Sequence, residues 1–371
     1  MPSNRQVSAR RCKRVSKVRA SLAGLLGLTL LLGGCGSREV PVYTTQFNAF
    51  GTTVDLSIVG VRREQAAEAT ATVERDFQFF DSVLFREDSG RMLMVNELLA
   101  TGEPFAVPPS LIPLLKKTQV LSDRSGGLFD PATGRLSRLW GLDSPNPAPS
   151  APPDQAAIQA LLDAKPTIAD LYLDGIELQS DNPAVLLELD SVAAAYAMDV
   201  GANTLRASGV RSAMINVGGD VRAIGNRSGR PWRIPVPRAS GTGVIGIVDV
   251  SGDASLVTAS AQQRNFRYQG KVYHSLIDPR TGLPASDASS ATVLYPGDAV
   301  TAAAAANALM IAGPNELPLV AAQLGLRYAL VIDTEGRLHL TPEMDRILDL
   351  LDTNLEQVIS PALEATSTSS E

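Results

Sequence analysis

From Tyr43 to about Leu350, segments of period two and segments of helical period follow one another without a linker. This alternation limits the fold more than any other feature of the 371 residues. Val54, Leu56 and Ile58 alternate with Asp55 and Ser57, the pattern of a half-buried strand, with Phe50-Gly51-Thr52 at its start. Glu64 to Leu84 has helical spacing, and Asp88-Ser89-Gly90 ends that region. Pro108-Pro109-Ser110 opens a helix through Leu111, Leu114, Leu115 and Leu121, stopped by Ser125-Gly126-Gly127. Ile168 to Tyr172 and Ile176 to Leu178 flank Asp174-Gly175 as a hairpin. Val185 to Leu189 reads as a further strand, and Asp190-Ser191 as the cap of a helix running to about Ala207. Ser212 to Val217 reads as a strand ending in Gly218-Gly219-Asp220 and resuming at Val221 to Ile224, ahead of a β-rich middle. The alanine-rich helix Val300 to Ala312 comes after it, then a last helix–strand–strand–helix series. The expectation is one compact α+β unit over 43–350. The Pro- and Ser-rich stretch Ser144 to Pro153 is the only seam along which it would part into two lobes.

The start of the chain reads as a leader. Arg5, Arg10, Arg11, Lys13, Arg14, Lys17 and Arg19 precede a short apolar run, Leu22 to Leu32, which ends in Gly33-Gly34-Cys35. That run is too short to span a bilayer, which takes about 20 apolar residues. The pattern predicts a lipoprotein signal over 1–35, cleavage before Cys35, lipidation of that cysteine, a tether over 36–42 and export to a bacterial membrane surface. The only other cysteine, Cys12, lies in the part removed, so the mature chain has no disulfide and no thiol nucleophile. Without the leader the net charge moves from −6 to −13, which argues against nucleic acid as a partner. Residues 351–371 read as a polar, partly disordered tail.

The stretch Gly270 to Pro284 carries one of only two histidines. His274 follows Val272 and Tyr273 on an expected strand, and Asp278-Pro279-Arg280-Thr281-Gly282 stops that strand with a tight turn. An imidazole beside a carboxylate, a guanidinium and a hydroxyl is a credible anion-handling group. On these residues alone, a half-buried histidine and an ordinary surface turn fit equally well.

Four separated segments together resemble the ApbE family of FAD:protein FMN transferases. They are Phe50-Gly51-Thr52, Gly126-Gly127-Leu128-Phe129-Asp130-Pro131, Asn216-Val217-Gly218-Gly219-Asp220 and His274 to Gly282, in the family's order. The resemblance implies an α+β, T-fold-related architecture of mixed sheets flanked by helices, with FAD in a cleft. It also implies transfer of FMN from FAD to a Thr or Ser hydroxyl of an exported acceptor protein, forming a phosphoester and releasing AMP. Attack of a hydroxyl on a pyrophosphate calls for a base, a divalent cation and a rigid grip on the phosphates.

By resemblance, His274 is the base or proton shuttle, and Asp278 orients it or a phosphate-binding neighbour. Phe50, Gly51, Thr52, Tyr196, Gly218, Gly219, Asp220 and Thr258 belong to the flavin cleft, with Asn96 and Asp130 as further cleft residues. The sequence departs from the family at two places. In Glu188 to Asp199, Ala194 stands where the family often has lysine and Ala195 where it has glycine. On the alanine-rich helix, the Asp and Thr that hold magnesium are replaced by Ala303 and Asn307, leaving Asp298 as the one nearby substitute. Three functions therefore stay open on sequence: a working FMN transferase, a non-catalytic FAD-binding lipoprotein, and a structural or partner-binding lipoprotein with an empty cleft.

Overall fold

The computed structural model describes residues 41–85, 91–144, 147, 148, 151–239 and 242–361. The leader with Cys35, most of the tether, Asp88-Ser89-Gly90 and residues 362–371 lie outside the described residues. In chain order the elements are β1 (Val42–Ala49), β2 (Thr52–Val59), α1 (Arg63–Phe80), α2 (Arg91–Leu99), β3 (Phe105–Ala106), α3 (Ile112–Arg124), α4 (Gly134–Leu139) and α5 (Gln155–Ala164). Then come β4 (Leu171–Asp174), β5 (Glu177–Ser180), α6 (Asp190–Ala207), β6 (Ser212–Val217), β7 (Asp220–Ile224), β8 (Trp232–Pro237), β9 (Val244–Val250) and β10 (Ala254–Ser260). Next are β11 (Asn265–Tyr268), β12 (Lys271–His274), β13 (Ile277–Asp278), β14 (Leu283–Pro284), β15 (Ala288–Tyr295), α7 (Ala299–Ala312) and α8 (Leu317–Leu324). The chain closes with β16 (Tyr328–Asp333), β17 (Leu338–Leu340), α9 (Pro342–Ile347), β18 (Leu348–Leu350) and β19 (Gln357–Ile359).

Nine of these strands form one sheet in the order β1-β2-β6-β7-β10-β15-β16-β17-β19. Its pairings are antiparallel except β17 with β19. The period-two pattern decides what each face carries. Val54, Leu56, Ile58, Ala213, Ile215, Val257, Ala259, Ala291, Val293, Ala329 and Val331 point to α1, α6 and α7 and join the larger core. Val221, Ala223, Leu256, Leu294, Leu330 and Ile332 point the other way and pack on the small sheet β18-β9-β8. The protein is thus layered as helices, large sheet and small sheet. A third cluster, Leu136, Trp140, Leu142, Ile158, Phe266 and Ile277, ties α4 and α5 to the β11–β13 region.

Several sequence expectations are corrected. The strand expected at Val54, Leu56 and Ile58 is β2, but the residues before Phe50-Gly51-Thr52 form a strand of their own, β1. Phe50 and Gly51 both take positive φ, 53° and 70°, and form the two-residue turn between β1 and β2. Val185 to Leu189 forms no ladder. Leu186 bridges Thr133 alone, and the polar backbone of Leu187 is met by the Asn96 side chain instead. Asp190 does not cap α6, because it lies in the helix's first turn and pairs with Arg264. Ordered structure runs past Leu350, since β19 lies along β17 with Leu338 opposite Gln357. The Pro-rich stretch is not a seam, as the chain from Pro41 onward forms one unit.

Candidate active site

A cleft with about 540 Å³ of empty space, part of it continuous with solvent, opens where two of the separated segments meet the start of α6. Leu128, Phe129, Asp130 and Pro131 line one side, Glu188 and Ser191 at the start of α6 a second, and Ser275, Leu276, Ile277 and Pro279 a third. Arg264 and Asn307 complete the walls. A neighbouring cleft of about 530 Å³ lies between α2, α4 and the run Leu186 to Asp190, with Met92, Leu93, Asn96 and Arg138 on its walls. Glu188 lines both clefts.

Asp130 is bound by its neighbours. Its carboxylate accepts from Ser122 Oγ (3.2 Å), the Ala132 amide (2.9 Å), Thr167 Oγ1 (2.7 Å) and the Ile168 amide (3.0 Å). Burial pushes its carboxyl up, against those hydrogen bonds. It fixes the shape of the cleft wall and offers little to a ligand. Asn96 acts similarly at the second cleft. It donates to Leu187 O (3.0 Å) and accepts from Leu187 N (2.8 Å), so it takes the place of a strand partner.

His274 is the last residue of β12. It is 3% exposed, and both ring nitrogens are engaged within its own segment. Nε2–H donates to Ala285 O at 2.8 Å and Nδ1 accepts from the Leu276 amide at 3.3 Å, which fixes the neutral Nε2–H tautomer. Burial lowers its pKa, opposed by the bond to Ala285. It lines neither cleft. Asp278 does not orient it, because Arg280 takes the carboxylate through its amide (2.8 Å), Nε (3.0 Å) and Nη2 (2.9 Å). Arg280 also pairs with Glu316, so Asp278 pins the Asp-Pro-Arg-Thr-Gly turn to the region before α8.

Of the remaining sequence candidates, Phe50, Gly51, Thr52, Gly218, Gly219 and Asp220 lie at the β1–β2 and β6–β7 turns, Thr258 on β10 and Tyr196 on α6, and none lines either cleft. The Phe50 amide donates to Asp81 Oδ1 (2.8 Å), and its ring meets Phe77 edge-on. Gly218, at φ 60°, sits against Thr52, and a side chain there would press on the threonine Oγ1 and Cγ2. Gly219, at φ 108°, donates its amide to Asn216 Oδ1 at 2.9 Å. Asp220 accepts the Thr258 amide (2.9 Å), and burial pushes its carboxyl up to about 7. Thr258 Oγ1 meets Thr292 Oγ1 at 2.9 Å. Tyr196 packs on Phe80 and donates its hydroxyl to Ser110 O at 2.8 Å.

The magnesium expected from the resemblance does not fit these residues. Ala303 supplies no side-chain ligand, and Asp298 is committed to the start of α7, where it accepts from the Thr301 amide (2.8 Å) and pairs with Lys117 (2.9 Å). Burial would raise the Asp298 carboxyl, but Thr301 and Lys117 outweigh it and hold it below the usual range. Asp199 on α6 accepts the Ala299 and Val300 amides and Arg222 Nε, a second carboxylate at the same helix end. Among the described residues no group of three or more His, Cys, Asp or Glu is placed to hold a metal ion. Asn307 is different: it is 8% exposed, it faces the cleft, and its amide makes no hydrogen bond among the described residues.

A model of the ApbE family matches residues 50–330. The chain belongs to the ApbE family. An ApbE relative, the FAD:protein FMN transferase of Rhodobacter capsulatus, is 34% identical over 341 residues, covering 91% of this chain and 65% of that protein. The FAD:protein FMN transferase of Klebsiella pneumoniae (strain 342) is 29% identical, covering 85% of this chain and 93% of its own length. The solved apo form of the Pseudomonas stutzeri flavinyl transferase ApbE superposes with a TM-score of 0.71 at 27% identity, over 83% of this chain and 97% of that one. The mixed α+β fold, with its large sheet and flanking helices, is the ApbE fold.

Two cleft residues in this ApbE chain escaped the sequence reading, Glu188 and Arg264. Arg264 Nη1 donates to Glu188 Oε1 and Asp190 Oδ2, both at 3.1 Å, and its carbonyl accepts the Ser275 amide. It is held at φ 38°, uncommon for a residue with a side chain. The available signal was a carboxylate interrupting the apolar run Val185 to Leu189, and a lone cation between Ser260 and Asn265.

Proposed function

We infer that this ApbE chain moves FMN from FAD to a Thr or Ser hydroxyl of an acceptor protein, with AMP as leaving group, and that the reaction takes place at the paired clefts. The observation that carries this reading is the meeting of the Leu128–Pro131 and Ser275–Pro279 segments with the start of α6 around one cavity. The apolar side chains Leu128, Phe129, Leu276, Ile277 and Ile311 suit a flat ring system, and Arg264 and Asn307 supply donors for its polar parts. No step is assigned to a metal ion, since the donors that would hold magnesium are absent from α7.

The leader pattern supports export and a lipid on Cys35, which would place the clefts at a membrane surface near exported acceptors. None of the described helices is long and apolar enough to cross a membrane. Cys35→Ser should release the protein from the membrane fraction, and retention there would remove the lipid anchor from the reading.

The activity is tested with purified residues 36–371, FAD and an acceptor domain carrying an exposed Thr. Covalent flavin fluorescence on the acceptor in a denaturing gel is the expected result. FAD bound without any labelling would instead support a flavin-binding protein that does no transfer, a reading favoured by Ala303 and Asn307.

A further inference from the structure

We propose that the end of the large sheet at which the chain enters β1 is a docking surface for anionic phospholipid headgroups, holding the protein on its membrane with the clefts turned away. The lipid anchor argued above supplies the membrane, so the proposal rests on that reading for its setting. Strand register brings this end together. Val42 pairs with Val59, Val59 with Ser212, Ala213 with Ile224 and Ala223 with Ala254. The segments flanking these strand ends are 60–63, 208–211, 225–231 and 251–253, and they carry Arg62, Arg63, Arg211, Arg227 and Arg230. All five are exposed, and none has a carboxylate partner among the described residues. The one acid in these segments, Asp253, is taken by Arg206 and Arg222. Glu64 follows Arg63 on α1 and leaves the cluster strongly positive. The charge runs against the rest of the chain, which without its leader is at −13.

The fold holds these cations together at a cost. Arg227 and Arg230 exchange backbone hydrogen bonds of 2.8 and 3.2 Å across the turn Ser228-Gly229, whose φ angles are 55° and 85°. Like charges set directly opposite in a hairpin repel. Arg211 lies alongside, since a side chain on Gly225 would meet its carbonyl oxygen. Arg62 and Arg63 stand at the N-terminus of α1, the end where a helix disfavours cations. Gln65 Nε2 donates to Ser208 O at 2.9 Å and ties that end to the connection between α6 and β6. An anionic leaflet supplies the partner that the protein does not. From Cys35 to Val42 the extended chain reaches at most about 25 Å, so a lipid on Cys35 keeps this end beside the headgroups. The helix α6 starts at the first cleft, with Ser191 on its wall, and ends at Ala207 beside the basic end. At 1.5 Å per residue it spans about 27 Å, so the clefts open on the aqueous side, where an exported acceptor approaches.

The test uses residues 36–371 without lipid, which contain the whole unit from Pro41 onward, so its outcome is separate from that of the Cys35→Ser experiment. Co-sedimentation is measured with vesicles of phosphatidylcholine alone and of phosphatidylcholine and phosphatidylglycerol in equal parts. Wild type should bind the anionic vesicles at low salt and leave them at about 0.5 M salt, where screening is short. Arg211→Gln, Arg227→Gln and Arg230→Gln combined should lower partitioning by about 100-fold, at about five-fold for each arginine beside an anionic leaflet. Arg75→Gln, Arg267→Gln and Lys271→Gln combined remove the same charge from exposed positions on other faces and should lower it by less than about 3-fold. The melting temperature should not fall in the first triple variant, which separates lost docking from misfolding. Residues 36–371 contain no cysteine, so single labels report orientation. On vesicles, a fluorophore at Ser228→Cys should be quenched by a headgroup-bound acceptor far more than one at Thr281→Cys. Equal binding to both vesicle types, binding to neither, equal losses in the two triple variants or the reverse order of quenching would each overturn the proposal.

Discussion

Asp220 carries the clearest electrostatic prediction at the residue scale. Its carboxyl is pushed up to about 7 in the folded protein by burial, with only the Thr258 amide opposing, while an unfolded chain titrates it near the usual 3.8. The folded state therefore keeps a proton that the unfolded state releases. The stability this gives is full below the unfolded value and is lost as pH rises through about 7. Melting temperatures at about pH 5 and about pH 8 should differ more for wild type than for Asp220→Asn. An equal drop in both would mean that the carboxyl is not desolvated as described. At this scale the sequence was a mixed guide. Asp130 and the 274–282 segment do meet at one cleft, because turn chemistry at Gly126-Gly127 and Pro279 to Gly282 is local and readable. The partners of His274 and Asp278 were not readable, since Ala285, Leu276 and Arg280 satisfy them through backbone geometry and rotamers that no spacing rule encodes.

The Asp-Pro-Arg-Thr-Gly turn shows how one element is fixed from several sides. Gly282 has φ 70°, and a side chain there would collide with Ile158 on α5, while its carbonyl accepts Trp140 Nε1 at 2.8 Å. Gly282→Ala should destabilise the protein by about 3 kcal/mol, adding left-handed strain to overpacking. Urea unfolding would register this, and an unchanged midpoint would mean that α5 yields easily. Neither α4 nor α5 was anticipated from the chain, although both help to hold this turn. Each is short, and each buries its apolar side against the small Trp140 cluster, so its periodicity is brief. The helices α1, α3, α6 and α7 were legible because they are long or bounded by Pro, Gly or Asp. The run Val185 to Leu189 misled for the opposite reason. Its β-like composition serves a buried extended segment whose hydrogen bonds go to Asn96, Ala132 and Pro131.

Across the whole molecule, alternation predicted the layered α+β class, but not where the large sheet ends. β19 adds a parallel edge beyond Leu350, with Glu356 and Ser360 bonding to Leu338 and Leu340. A chain ending at Leu350 should unfold at lower temperature, and an unaltered transition would make that edge strand dispensable. A three-residue strand with exposed side chains leaves almost no trace in a hydrophobic pattern, which is why this segment read as tail.

The alanines of α7 have a final consequence. Twelve of its residues from Ala299 to Met310 are buried, and seven of these are alanines set against β10, β15 and α6. Helix and sheet have closed around methyl groups. An aspartate at position 303 would have to force a charged, longer side chain into a space 3% open. The tight seat of this methyl row makes α7 a rigid strut under β10 and β15, and Ala303→Asp should lower the melting temperature more than a polar substitution at the exposed Leu319 of α8.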